Sequence, residues 1–341
     1  MQQSTVERRT ATLTIMVAAL LLGSAQAFAQ RAPGEGAASP QPRHRQQGGP
    51  EATSRAKCEA EPYRVFVAHS LGTECIAYVI TAPPAQPAPA VFYFHGDLTA
   101  REVQQPDFTQ KHLARLRPAL ASIAEREKVR FIHVARPGVL GSSGNHGDRW
   151  TPREMLSMNA AVDAIKTRHG LTSIVVAGQS GGSTIAAALL TLGRRDIRCA
   201  VLGSGALMLT ETVSHIRASS GAPPLPAATL KRLYFDPGDR VAGIPQLPER
   251  RIFVLGDPID MRTPFALQRQ FADRLKAFGH HAAVVEVAAR GETMHGVAHL
   301  TLPAAAQCAR GVADGEIVRS LAPVPAAETT GHAPNPEPDP L

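Results

Sequence analysis

Short apolar runs closed by turn residues recur along the middle of the chain, separated by longer stretches with apolar residues at helical spacing. Val91 to Phe94 lies between a Pro-rich loop and Gly96. Phe131 to Ala135 is followed by Pro137-Gly138, Ile174 to Ala177 by Gly178, and Cys199 to Leu202 by Gly203. Ile252 to Leu255 ends at Gly256, and Ala283 to Val287 ends near Gly291. Continuous apolar runs bounded in this way fit strands buried on both faces of a parallel sheet. Ahead of them, Tyr63 to Ala68 and Cys75 to Thr81 flank a turn containing Gly72 and predict an antiparallel start.

The intervals read as helices. His112 to Lys128 carries apolar residues at helical spacing. Pro152 to His169 follows Thr151, an N-cap residue type, and stops at Gly170. Ser183 to Leu192 is small and apolar, as a helix packed beneath a sheet should be. Pro264 to Phe278 stops at Gly279, and a last helix is expected between Ala304 and Leu321. Strands alternating with helices imply right-handed crossovers and a mostly parallel, doubly wound α/β sheet. Met208 to Arg250 breaks the pattern with Pro223-Pro224, Pro226, Pro237-Gly238 and Pro245, and predicts one short helix at Ala227 to Leu233.

The two ends read differently from the middle. Glu7, Arg8 and Arg9 precede an apolar run from Ala11 to Leu22 and small residues around Ala25 to Ala29. That order is the mark of a secretory signal peptide over residues 1–29. The apolar run is about a dozen residues, shorter than the ~18 of a membrane span, which leaves an uncleaved anchor as the alternative. The Arg8-Arg9 pair would suit a twin-arginine route, with general secretion as the default, and no cysteine follows at which a lipid could be attached. Residues 30–57 and 322–341 are rich in Pro, Gly, Ala and polar residues and poor in bulky apolar ones. Such segments cannot offset their ordering entropy by burial, so they read as a disordered linker and tail. Residues 58–321 remain as one domain of ordinary size.

The formal charge of +7 is scattered, apart from Arg43-His44-Arg45 in the linker. It falls to about +6 when Glu7, Arg8 and Arg9 leave with the signal. No basic stripe, regularly spaced stacking aromatics or nucleic-acid motif is present, so nucleic acid is not an expected partner. The four cysteines, an even number in an exported chain, suggest two disulfides. Cys58 and Cys75 bracket the first hairpin and are expected to pair. Cys199 would then join Cys308 and fasten the C-terminal helix to the sheet. Their spacing fits no zinc pattern.

The strongest chemical signal is Gly178-Gln179-Ser180-Gly181-Gly182. It follows an apolar strand directly and precedes a small-residue helix directly. A G-x-S-x-G in that context marks a sharp strand-to-helix turn that holds its serine in a strained backbone conformation, with small residues on either side for lack of room. The helix N-terminus then lies beneath the serine and favours developing negative charge. The competing reading, a phosphate loop, lacks the Lys-Ser or Lys-Thr pair that it needs.

With these residues in place, the chain resembles the α/β-hydrolase superfamily over about Tyr63 to Leu321. Phe94-His95-Gly96-Asp97 is similar to the family's oxyanion loop. Arg136-Pro137-Gly138 with Gly141-Ser142-Ser143-Gly144 is similar to a segment common after the fourth strand. The resemblance implies a mostly parallel sheet of about eight strands with helices on both faces, and a small cap inserted at 208–250, for which a surface excursion is the alternative. It also implies a triad in the order Ser, acid, His. Ser180 is then the nucleophile. Asp260 is the acid, four residues before Pro264, with Asp257 as the competing carboxylate that otherwise caps a turn. His295, followed by Gly296 after the last strand, is the base. His299 competes but falls in the closing helix, His280 and His281 precede the strand, and His133 reads as a satisfied core residue. Backbone N–H groups of Asp97 and Gly181 would form the oxyanion hole, with the Asp97 carboxylate turned toward Arg101 or Arg136 and His95 holding the loop.

These features together predict a periplasmic or secreted serine hydrolase acting on a small-molecule or peptide substrate. It would cleave a carboxylic ester or amide through an acyl-enzyme, with an ester the preferred substrate. An aminopeptidase- or oligopeptidase-like enzyme and an acyltransferase share the same residues. A non-catalytic binding protein on the same scaffold is the alternative from a different class. No flavin, nicotinamide or metal motif is present, and the chemistry calls for none.

Overall fold

The structure is a computed structural model that describes residues 54–85 and 88–322. The expected signal peptide lies outside the described residues, as do residues 30–53 of the expected linker and 323–341 of the expected tail.

Helix α1 (Arg55–Ala60) opens the described chain and takes in the last three residues of the stretch read as linker. Strands β1 (Arg64–His69) and β2 (Gly72–Ile80) form the antiparallel hairpin, with His69 opposite Gly72. Then come β3 (Ala90–Phe94), α2 (Ala100–Val103), α3 (Phe108–Glu127), β4 (Phe131–Val134) and α4 (Pro152–His169). They are followed by β5 (Ile174–Gln179), α5 (Gly181–Thr191), β6 (Ile197–Gly203), α6 (Leu209–Ser219) and α7 (Ala227–Leu233). The chain closes with β7 (Arg251–Gly256), α8 (Phe265–Ala277), β8 (Ala282–Glu286), α9 (Ala298–Ala309) and α10 (Asp314–Leu321).

The eight strands form one sheet in the order β1-β2-β4-β3-β5-β6-β7-β8. β2 runs antiparallel to both neighbours, and every pairing from β4 to β8 is parallel. Strand alternation divides the core into two layers. Phe92, Phe94, Val176 and Leu202 face one layer with α4, α5 and α8, while Val91, Tyr93, Val175 and Val201 face the other with α3, α9 and α10. Helix α5 is buried along its whole length, which explains its small, uncharged sequence.

Besides the short helices α1 and α2, which the sequence expectations did not include, the structure differs from them in the cap region and at the C-terminal end. Helix α6 forms inside the proline-rich interval, because Leu209, Thr210, Thr212 and Val213 find a buried face that their modest helix propensity does not advertise. The last helix is two helices, divided near Gly311 in a left-handed conformation. The first of them starts at Ala298 and carries Pro303 inside. Burial of Ala298, Thr301, Leu302 and Ala304 to Ala306 against the sheet outweighs the hydrogen bond that the proline cannot make.

Both expected disulfides are present, Cys58 to Cys75 and Cys199 to Cys308. The first ties α1 to β2, and the second ties β6 to α9. Among the described residues no helix is long and apolar enough to cross a membrane.

Candidate active site

The site gathers at the C-terminal ends of the central strands, where the loops after β3, β5, β7 and β8 meet. Gln179 ends β5 and Gly181 begins α5, so Ser180 alone makes the turn. Its backbone sits at φ 54° and ψ −123°, a conformation that a non-glycine residue adopts only when its surroundings impose it. The surroundings are tight. A side chain on Gly178 would collide with the Gly182 backbone, and one on Gly182 with the Phe94 carbonyl. The Ser180 amide donates to the Gly203 carbonyl at 2.9 Å, which stitches the turn to β6. The serine is half-buried, with the N-terminus of α5 directly behind it.

The acid and the histidine meet. His295 Nδ1 lies 2.9 Å and 3.0 Å from the two carboxylate oxygens of Asp260. The Asp260 side chain is fully enclosed, and His295 is 12% exposed. Asp260 Oδ1 also accepts the backbone N–H groups of Arg262 at 2.8 Å and Thr263 at 3.0 Å, an Asx-type turn. Thr263 Oγ1 stands 2.9 Å from Asp260 Oδ2 and 3.0 Å from the Ser204 carbonyl. Burial pushes the Asp260 carboxyl up. The hydrogen bond and charge of His295, with the Thr263 and Arg262 amides, outweigh it and hold the group below its ordinary value. The carboxylate is therefore ionised at neutral pH.

Asp257 does something else. Its Oδ1 accepts the Ile259 amide at 3.0 Å and its Oδ2 the Ala289 amide at 2.8 Å, so it staples the loop after β7 to the chain beyond β8. His299 lies in the first turn of α9, and His280 and His281 precede β8. The Ser180 hydroxyl makes no hydrogen bond to another described residue, His295 included.

The loop after β3 reaches the serine from the other side. A methyl on Gly96 would lie 3.3 Å from Ser180 Cβ, and one on Gly181 would collide with the Asp97 carboxylate. Neither the Asp97 nor the Gly181 amide donates to another described group outside the helices and strands. The Asp97 carboxylate is taken up by Arg136 Nη1 at 2.5 Å and approached by Arg149 Nε at 3.6 Å, while Arg101 has no part in it. Arg136 is completely buried, and its Nε donates to Glu154 at 2.7 Å. Burial disfavours the guanidinium charge, but Glu154 and Asp97 overcome this and raise the pKa above its ordinary value. Glu154 accepts the Trp150 amide at 2.6 Å. One buried cation thus links the loop after β3 to helix α4.

Sequence reading missed Glu154 and Thr263. Glu154 falls three residues after the N-cap Thr151 and reads as an ordinary first-turn acid. For Thr263 the signal was its place between an Asx-forming aspartate and a proline.

His133, expected as a satisfied core residue, is core but not satisfied. Among the described residues no other residue is a hydrogen-bond partner for either ring nitrogen, and the ring stacks on His95 at 5.3 Å between centroids. His95 donates from Nδ1 to the Gly96 carbonyl at 2.7 Å and so holds its loop. Among the described residues no three His, Cys, Asp or Glu side chains gather as a metal site requires. A separate cleft of about 720 Å³ opens between β2 and α3, lined by Tyr63, Tyr78, Ile80, Pro84 and Arg117, away from Ser180.

The deciding observation is the combination of this strand order, a strained serine turn after β5, and an acid–histidine pair on the loops after β7 and β8. The chain has the α/β-hydrolase fold.

Solved structures with this α/β-hydrolase fold align with most of the chain at low identity. A Pyrococcus furiosus esterase is 16% identical over 69% of this chain and 86% of its own, with a TM-score of 0.46. Est1E of Butyrivibrio proteoclasticus, solved with ferulic acid bound, is 15% identical over 72% of this chain and 96% of its own, at 0.49. A Pyrococcus horikoshii acylaminoacyl peptidase is 14% identical over 66% of this chain and 36% of its own, at 0.47. No family model and no curated protein matches the sequence. The α/β-hydrolase assignment accordingly rests on the topology of this chain.

Proposed function

We propose that the protein is an exported serine hydrolase that cleaves carboxylic esters or amides through an acyl-enzyme. The observations that carry this reading are the enclosed Asp260–His295 pair and a serine in a strained strand-to-helix turn, the residue before which bonds to the His295 carbonyl.

Ser180 Oγ attacks the substrate carbonyl carbon as its proton passes to His295 Nε2. The carbonyl oxygen takes up the charge and is bound by the amides of Gly181 and Asp97 at the positive end of α5. Asp260 orients the imidazole and stabilises its protonated form. Collapse of the tetrahedral intermediate breaks the bond to the leaving group, which receives the proton from His295. Water, deprotonated by His295, then attacks the acyl-enzyme, releases the acid and returns the proton to Ser180. No cofactor enters these steps.

Export is supported by the two disulfides, which belong to an oxidising compartment, and by the signal-peptide pattern over residues 1–29. The substrate is a small molecule or peptide bearing an ester or amide, with esters preferred. We read 208–250 as a small cap, supported by its own cluster of Leu209, Val213 and Leu230 against Trp150 and Tyr234.

The test is labelling by a fluorophosphonate probe. Wild-type protein is expected to label once per chain and Ser180→Ala not at all. Labelling that persists in Ser180→Ala overturns the assignment. Chromogenic esters and aminoacyl amides then separate esterase from peptidase, and turnover of neither would favour a binding protein.

A further inference from the structure

We infer that Gln179, the residue before the nucleophile, is a positioning residue that holds the His295 loop in register with Ser180. The inference rests on the hydrolase reading above.

The strand period places it. Val175 and Ala177 of β5 point into the layer occupied by α9, and alternation puts the Gln179 side chain on that same face at the strand end. The chain from His295 into α9 passes directly over it. The Gln179 amide nitrogen donates to the His295 carbonyl at 2.7 Å, and its side-chain oxygen accepts the Val297 amide at 2.8 Å. Val297 is the N-cap of α9, so one side chain satisfies both an otherwise unpaired helix-start donor and the carbonyl of the proposed base. The close approach has a further support on β6. A side chain on Gly203 would collide with Thr301 and lie 2.7 Å from Val297, so the bare glycine lets α9 settle onto the strand ends.

The consequence is geometric. Gln179 and Ser180 share a peptide bond, and Gln179 grips the backbone of His295 on one side and of Val297 on the other. The hydroxyl and the imidazole are thereby carried by one short hydrogen-bonded ring rather than by two independent loops. Asp260 sets the ring orientation of His295, and Gln179 sets where its backbone stands. The amide meets both needs, since it donates to a carbonyl and accepts from an N–H at once, whereas an ionised carboxylate can only accept.

The variant to make is Gln179→Met, which keeps the length and loses both bonds. It is expected to lower kcat by 10- to 100-fold on a chromogenic ester with KM changed by less than about threefold, in keeping with the loss of well-oriented reacting groups. Fluorophosphonate labelling should slow by the same factor as kcat. The low-field proton resonance of the His295–Asp260 hydrogen bond should broaden or shift, which a change in overall stability alone would not produce. Gln179→Glu, which keeps the acceptor for Val297, guards against misfolding and should show the same loss of kcat in a folded protein. A Gln179→Met enzyme within twofold of wild type in kcat and labelling rate, or a folded Gln179→Glu enzyme at wild-type rate, overturns the inference while Ser180→Ala remains inert. Persistent labelling of Ser180→Ala instead overturns the hydrolase reading, and this inference with it.

Discussion

Two carboxylates three residues apart, Asp257 and Asp260, carry different jobs because their backbones aim them differently. Asp260 is spent on His295, and Asp257 on two backbone amides. Asp260→Asn should therefore lower kcat by about 10³- to 10⁴-fold with a small change in KM. Asp257→Asn should leave kcat within a few-fold and cost about 1 kcal/mol of stability, as loss of a loop hydrogen bond does. Steady-state kinetics and urea unfolding of the two variants check both statements. The buried histidines make a second prediction. Burial holds His133 neutral with a pKa of about 3 and His146 at about 4, and it pushes His95 well below 6.5. Burial lowers His69, His112, His169 and His280 as well. Below pH 6.5 the unfolded chain takes up protons that the folded chain refuses, so stability falls with falling pH. The decline should be about 1.4 kcal/mol per pH unit for each fully buried histidine between pH 6.5 and about 4. Urea midpoints at pH 7, 6 and 5 measure it, and His133→Phe should make the decline shallower. His133 was legible as a core position from its apolar strand neighbours. That its nitrogens find no partner among the other described residues was not, because partners come from other elements.

At the scale of elements, the loops that build the site are held by groups lying beneath them. Arg136, at the end of β4, bridges Asp97 of the loop after β3 and Glu154 of α4 with no solvent contact. Removing one member of such a bridge leaves uncompensated buried charge, so Arg136→Met should cost about 3–5 kcal/mol in urea unfolding. Activity in the surviving folded fraction should also fall, since the Asp97 amide loses its anchorage. The choice of Arg136 over Arg101 illustrates what an element conceals. Arg101 is four residues from Asp97 in sequence but sits on the exposed face of α2, whereas Arg136 is brought in by the pairing of β3 with β4. Helix α6 was hidden in the same way. Its proline-rich surroundings and β-branched residues argue locally against a helix, and the buried face that stabilises it exists only once α7 and Trp150 pack nearby.

For the whole molecule, the two disulfides divide the labour. Cys58–Cys75 closes a short loop at the sheet edge, with a sequence separation of 17, and Cys199–Cys308 closes one with a separation of 109. On the loop-entropy scale, removing the first should cost about 3 kcal/mol and removing the second about 4.7 kcal/mol. The Cys199→Ala/Cys308→Ala double variant should accordingly lose more stability in urea than the Cys58→Ala/Cys75→Ala variant. The opposite order would mean that the long loop is already restrained in the unfolded chain. The larger crosslink also fastens α9, whose first turn carries the His295 loop, so its loss should lower activity near the unfolding midpoint before the short crosslink's loss does.

By itself the sequence determined the succession of strands and most of the helices between them, the sharp turn at Ser180, and the short set of residues that could form a triad. All of these are written in local period, turn chemistry or order along the chain. Only the tertiary structure decided that Asp260 rather than Asp257 meets His295, that Arg136 rather than Arg101 receives Asp97, and that Gln179 clasps the chain on both sides of Gly296. Each of those choices depends on where two elements distant in sequence come to rest, and on which way a loop turns its side chains when it gets there. Periodicity carries the first kind of information over a few residues, and only packing carries the second.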